Sequence, residues 1–143
     1  LALLRRLSRD HGMAMMLITH DMGAIAETAE RVAVIYAGRL VEIGPADRLF
    51  DAPAHPYTRA LLQAVPVADP RRRRERVPLQ GETPSPMALP PGCAFAGRCP
   101  HAAEVCRQAV PALEPVGAPQ ADPARRHRVA CARRDEIGTA IDT

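Results

Sequence analysis

The 143-residue chain has no lysine, no tryptophan and only four aromatic residues, two Tyr and two Phe. Without lysine, no G-x-x-x-x-G-K-[ST] loop exists, so the chain has no means of its own to cradle a nucleotide's phosphates in that way. All nineteen basic residues are arginine, which reads as a compositional bias and not as a functional signal. No apolar stretch approaches the ~18 residues that cross a bilayer, and no signal peptide is visible. The expectation is a soluble chain that docks to any membrane it serves. It begins at Leu1 and not Met, already inside a helical pattern, so the start of the gene product is expected to be missing. Scarce aromatics also bear on the run Arg71-Arg72-Arg73-Arg74-Glu75-Arg76. Such a run can bind nucleic acid or anionic lipid. With nothing interleaved to stack on bases, the solvated-linker reading is preferred and no nucleic-acid partner is expected.

What is present is unevenly distributed. Residues 1–50 hold six Arg against six acidic residues and a single proline, whereas seven of the fifteen prolines fall between Pro66 and Pro91. Leu1, Leu4 and Leu7 recur at helical spacing, with Gly12 where a left-handed cap belongs. Ala14-Met15-Met16-Leu17-Ile18 is a continuous apolar run and predicts a strand buried on both faces of a parallel sheet. A helix is predicted from about Met22 to Ala29, with Asp21 at its N-cap. Arg31 to Tyr36 and Arg39 to Ile43 predict paired strands around an Ala37-Gly38 turn. Pro45 opens a short helix to about Phe50, and a further helix is predicted from Tyr57 to Ala64. The class is α/β. The divisions are residues 1–66, a Pro/Arg-rich linker 67–91 without regular structure, a cysteine-bearing segment 92–134, and a disordered tail 135–143. The first and third divisions are expected to have separate cores.

His20 stands two residues beyond the end of the predicted buried strand, where open α/β sheets place their ligands. Spacing alone leaves a hydrogen-bonded structural histidine as the better reading. Its surroundings say more. Gly12-Met-Ala-Met-Met-Leu-Ile-Thr-His-Asp21 resembles the segment that carries the switch histidine of ATP-binding-cassette ATPases. Ala29 to Gly44 resembles the strand pair that follows it, and Pro45 to Phe50 the next helix. The resemblance implies the C-terminal part of a P-loop ATPase domain, with His20 contacting the γ-phosphate of ATP and helping to place the attacking water. It implies Mg²⁺ as well, with most ligands outside this chain. No Ser-Gly-Gly-Gln signature and no apolar strand ending in Asp-Glu occurs here, so this chain alone is expected to be inactive.

Pro53-Ala-His-Pro-Tyr-Thr-Arg-Ala-Leu-Leu62 has a bland physical reading, a helix start at Pro56 with Tyr57 packed on the core. It also resembles the C-terminal signature of importer ATPases that handle oligopeptides, dipeptides and, in some members, nickel complexes. No chemical role for His55 follows from it. The resemblance implies an ATPase subunit at the cytoplasmic face of a bacterial inner membrane. Its implied partners are transmembrane permease subunits, a second ATPase subunit and an extracytoplasmic peptide-binding protein.

Cys93, Cys99, Cys106 and Cys131 are spaced C-x5-C-x6-C-x24-C. Disulfides, zinc and a [4Fe-4S] cluster all remain open on spacing. Zinc sites usually show tighter knuckles, although His101 and His127 are available as substitutes. A cluster tolerates varied loops and often has a proline after a ligand, as at Cys99-Pro100, with Gly92 and Gly97 allowing tight turns. Gly92 to Pro100, with Cys106 and Cys131, also resembles the cysteine-bearing tail of the importer branch, which implies an iron–sulfur cluster. The rival to the transporter reading is a stand-alone iron–sulfur or zinc interaction module that retains an ATPase remnant.

Overall fold

The computed structural model describes residues 2–64, 79, 81–118 and 120–137. Most of the predicted Pro/Arg-rich linker, including the whole Arg71–Arg76 run, lies outside them.

The hairpin forms as its pattern dictates. In strand β1, Arg31–Tyr36, the side chains alternate, so Val32, Val34 and Tyr36 point inward and Ile35 outward. Strand β2, Arg39–Pro45, returns antiparallel through Ala37 and Gly38, both with positive φ (47° and 78°). Left-handed values at both turn positions match the right-handed twist of the flanking strands. A register shift at Val34/Ile35 puts two successive residues of β2, Val41 and Glu42, on the buried side. The short strands β3, Glu114–Pro115, and β4, Arg128–Val129, complete a four-stranded sheet in the order β1-β2-β4-β3, every pairing antiparallel.

The helices begin and end for local reasons. Helix α1, Ala2–Asp10, stops at Gly12, whose φ of 62° lets the Met13 N–H return to the Ser8 carbonyl at 2.9 Å. Helix α2, Met22–Thr28, is capped by Asp21, which accepts from the Ala24 N–H at 3.1 Å. Helix α3, Ala46–Asp51, starts directly after Pro45, and α4, Pro56–Ala64, starts at its own proline. Two one-turn helices follow, α5, Val105–Gln108, and α6, Arg134–Ile137. Residues 135–137, placed in a tail by the sequence reading, therefore lie in a helix.

Two expectations need correction. The apolar run at residues 14–18 is not a strand, and Met16 and Ile18 are 86% and 88% exposed. A strand exists only by hydrogen bonding to another, and no described segment lies alongside this one. The sheet that does form is antiparallel, so the mixed helix/strand composition fits the α/β class without the parallel sheet. The second correction concerns the core. Phe95, from the cysteine segment, is 1% exposed and belongs to one cluster with Val32, Val34, Tyr36, Val41 and Leu49. Its ring meets Tyr36 edge-on at 5.2 Å and lies 5.5 Å from Tyr57. The hairpin and the cysteine segment share a core, in which Phe95 packs on the hairpin's inner face beside Tyr57.

Candidate functional site

The cysteines come from three places in the chain. Cys93 and Cys99 flank the 3-10 turn Ala96–Arg98, Cys106 lies in α5, and Cys131 follows β4. The Cys93 N–H donates to the Cys106 carbonyl at 2.8 Å. A Cβ on Gly92 would stand 2.3 Å from that carbonyl oxygen and 2.7 Å from the Arg107 backbone, so only glycine permits the approach. Gly97 has open space around it and is not required in this way.

All four cysteines line one cavity of about 20 Å³, together with His55, Phe95, His101 and Ile137. None is in a disulfide. The backbone N–H groups two residues further on, at Phe95, His101 and Arg133, hydrogen-bond to Cys93, Cys99 and Cys131 respectively. These donors favour the thiolate, but burial outweighs them. It raises the Cys93 and Cys131 thiols above their ordinary value and pushes Cys99 up to about 11, with neighbouring thiols adding to the effect. A metal bound here has to displace protons. Among the described residues, no three His, Cys, Asp or Glu side chains form a group that could hold a metal ion. The chemistry of the donor set, four thiols supported by N–H groups, suits a thiolate-bound centre, while the side chains as placed are not closed around a single ion.

A second constellation, which the sequence reading missed, holds this cavity's wall in place. Glu42, fully buried on β2, accepts from the backbone N–H of Ala54 at 2.7 Å and of His55 at 2.9 Å. Its Oε1 also lies 2.7 Å from His127 Nε2. Burial would raise the carboxyl pKa, but the contacts with His127, Ala54, Thr58 and His55 together hold it below the ordinary value. The Thr58 hydroxyl contributes from beside the carboxylate without meeting strict hydrogen-bond geometry. Gly44 makes room, since a Cβ there would come within 2.8 Å of the His127 ring. One carboxylate thus ties the hairpin, the start of α4 and the cysteine segment together. The available signal was an acid between two apolar residues, Val41 and Ile43, in a predicted strand.

His55 itself is 1% exposed, and its Nδ1 accepts from the Tyr57 N–H at 3.1 Å. Burial lowers its pKa to about 4, against a smaller upward pull from Glu42, so the ring is neutral near pH 7. His101 is an exposed residue at the cavity's rim, and His127 is engaged by Glu42.

His20 is elsewhere. It is exposed, it precedes the Asp21 cap of α2, and it lines neither this cavity nor the larger groove of about 1200 Å³ between α3 and residues 113–128. The structure brings the four cysteines together and leaves His20 apart from them.

Residues 41–106 match the family described as "Oligopeptide/dipeptide transporter, C-terminal region". The chain is 51% identical over 116 residues to a probable peptide ABC transporter ATP-binding protein of Sinorhizobium fredii, covering 81% of this chain and 33% of that protein. It is 46% identical over 114 residues to a peptide import ATP-binding protein of Brucella ovis, covering 80% and 36%. A peptide import ATP-binding protein of Brucella melitensis is 42% identical over 142 residues, covering 96% and 40%. The chain thus spans a third to two fifths of the length of these relatives.

Proposed function

From the match of residues 41–106 to the oligopeptide/dipeptide transporter C-terminal region family, we propose that the chain is the distal part of an ATP-binding subunit that powers peptide import. The observation that carries this reading is the similarity to peptide import ATP-binding proteins over four fifths or more of the chain. The subunit pairs with a second ATPase subunit and with transmembrane permease subunits at the cytoplasmic face of the bacterial inner membrane. An extracytoplasmic binding protein delivers oligopeptides or dipeptides to the permease. No helix among the described residues is long and apolar enough to cross a membrane.

In this reading residues 1–66 are the end of the nucleotide-binding domain, 67–91 a linker and 92–134 the cysteine-bearing region. ATP and Mg²⁺ are held mainly by residues outside this chain, which has no phosphate-cradling lysine, so the chain alone neither grips nor hydrolyses ATP. His20 contacts the γ-phosphate and helps orient the attacking water, a role that its exposed position before α2 leaves open to a nucleotide. Phosphoryl transfer depends on such positioning, so His20→Ala in the full-length subunit lowers turnover by roughly 10²-fold while nucleotide affinity changes far less. Intact turnover with collapsed binding would refute the role. For the subunit as a whole, loss of its gene abolishes uptake of a labelled tripeptide, and unchanged uptake would refute peptide import.

Cys93, Cys99, Cys106 and Cys131 are proposed to hold a [4Fe-4S] cluster, with zinc as the alternative metal. What supports this is their shared cavity and the N–H groups at three sulfurs. Such a centre supplies cross-linking between segments that have few large apolar side chains of their own, and no redox role is required of it.

A further inference from the structure

His55 stands at the head of the His-Pro-Tyr-Thr stretch, and the ATPase role gives it nothing to do. Its position is fixed with unusual completeness. The backbone N–H donates to Glu42 Oε2, and Nδ1 accepts from the Tyr57 N–H. Phe95 closes against the ring at 5.8 Å. An N–H can donate only to a lone pair, so the neutral ring must carry its proton on Nε2. Pro56 has no N–H of its own to compete, which leaves Tyr57 as the donor at the start of α4. The ring thus has one polar atom left, Nε2–H, and His55 is one of the residues that line the cavity of the four cysteines.

That wall is otherwise largely thiols and carbon. We infer that His55 is an outer-sphere donor to the cysteine centre, its Nε2–H hydrogen-bonding a sulfur of the bound metal site while Nδ1 stays locked to Tyr57. The inference rests on the reading that the four cysteines hold a metal. A ligand role is incompatible with the geometry, because coordination through Nε2 would move the proton to Nδ1 and break the bond from Tyr57. Hydrogen bonds to ligand sulfur disperse its negative charge, so they stabilise the centre and raise its reduction potential. The buried His-Pro-Tyr-Thr turn is then part of the cysteine site, carried to it from the other side of the linker.

The test uses the full-length subunit purified without oxygen, the parent beside His55→Phe and His55→Gln. Phe keeps the bulk and removes the donor, and Gln restores an N–H of similar reach. Iron, acid-labile sulfide and zinc are measured first. A parent without metal refutes the cysteine reading and this inference with it. Given metal, the expected result is that His55→Phe still assembles the site but loses metal to a chelator about 10-fold or more faster, a usual scale for an outer-sphere partner. His55→Gln recovers most of the difference. With iron bound, the midpoint potential falls in His55→Phe and returns in His55→Gln; with zinc, the chelator rates alone decide. Nitrogen-15 NMR of the parent should find the Nε2-protonated ring. Chelator rates and potential unchanged in a metal-loaded His55→Phe would overturn the inference, as would an Nδ1-protonated ring. If His55→Phe does not fold, the ring tautomer and a His55→Gln protein indistinguishable from the parent remain the deciding measurements, and loss of metal from His55→Gln also overturns it.

Discussion

Residues 2–18 and the hairpin of residues 31–45 both carry large apolar side chains, yet these end in opposite environments. Leu3, Leu4, Leu7, Met16 and Ile18 are 36% to 88% exposed, while Val32, Val34, Tyr36 and Val41 are 3% to 6% exposed. The hairpin makes its own partner through a two-residue turn and receives Phe95 on its inner face. Among the described residues, the run at 14–18 has no hydrogen-bonding edge beside it. Local pattern decides which residues are able to bury, and a second segment decides whether they do.

Phe95→Ala is the most direct way to break the comparison. Phe95 touches Tyr36, Tyr57 and His55 from a distant part of the sequence, so its loss should destabilise the hairpin by about 3–5 kcal/mol. Ile18→Ala in the same chain should stay within about 0.5 kcal/mol, as for a surface position. Urea unfolding of both variants checks the contrast. In the full-length subunit, where the proposed remainder of the domain would flank residues 14–18, Ile18→Ala should become costly. A variant equally mild in both settings would remove the idea that this run is a strand awaiting its neighbours.

Acid should loosen the same junction, and the sign follows from His55. Its folded pKa of about 4 lies below its ordinary 6.5, so between those values the unfolded chain takes up a proton that the folded chain refuses. Stability is therefore complete above pH 6.5 and falls by up to about 3 kcal/mol as the pH drops to 4. Glu42, whose pKa is held below 4.5, adds a further loss below that value as its carboxylate is protonated and its bonds to the Ala54 and His55 N–H groups weaken. The charged groups bearing on His55 are Glu42, which opposes the shift, and Arg59, which supports it. Guanidinium unfolding at pH 7, 5.5 and 4 measures the slope, and a chain equally stable across that range would contradict it.

Gly92→Ala tests the cysteine side of the junction, where the Gly92 carbonyl accepts from Arg39 of β2 at 3.1 Å. The added methyl meets the Cys106 carbonyl and the Arg107 backbone, which cannot yield as a flexible side chain would. Overpacking against backbone should cost about 1–3 kcal/mol and lengthen the Cys93–Cys106 hydrogen bond. Gly97→Ala, with nothing within 4 Å, is the matched control and should be near neutral. Limited proteolysis should cut the Gly92→Ala chain first between residues 92 and 107.

How far the sequence reveals this molecule depends on the range over which each feature is determined. The alternation in Arg31–Tyr36, the Ala37-Gly38 turn, the Asp21 cap and the Gly12 stop are set within a few residues, and all were legible. The four cysteines could be grouped because their chemistry is rare. The shared core was not legible, because Phe95 looks like any isolated aromatic until the hairpin is folded beneath it. Glu42 and His127, 85 positions apart, were invisible as a pair for the same reason. The strand expected at 14–18 failed for the converse reason, since its local pattern is right and its partner is not among the described residues. His20 was singled out by its place after the expected strand and by resemblance; that strand is not formed among the described residues, and the exposed position of His20 does not test its role.

The smallest expected effect is also the most local, and it marks the hairpin's independence from long-range partners. Ala37 sits at φ 47°, where its Cβ crowds the following carbonyl, a strain of about 1–2 kcal/mol for a residue other than glycine. Ala37→Gly removes that strain but gives the unfolded chain more freedom, which offsets about 0.5–1 kcal/mol of the gain. The net should be a stabilisation of about 0.5–1 kcal/mol, seen as a rise of a few degrees in Tm. Gly38→Ala, at φ 78° with open space around it, should lose a similar amount through backbone strain alone. Ala37 packs only at the edge of the cluster that holds Phe95, so each shift should be nearly the same in a Phe95→Ala background. A turn effect that vanished without Phe95 would mean that the hairpin is formed only by docking of the cysteine segment, and the two regions would differ less than their exposure suggests.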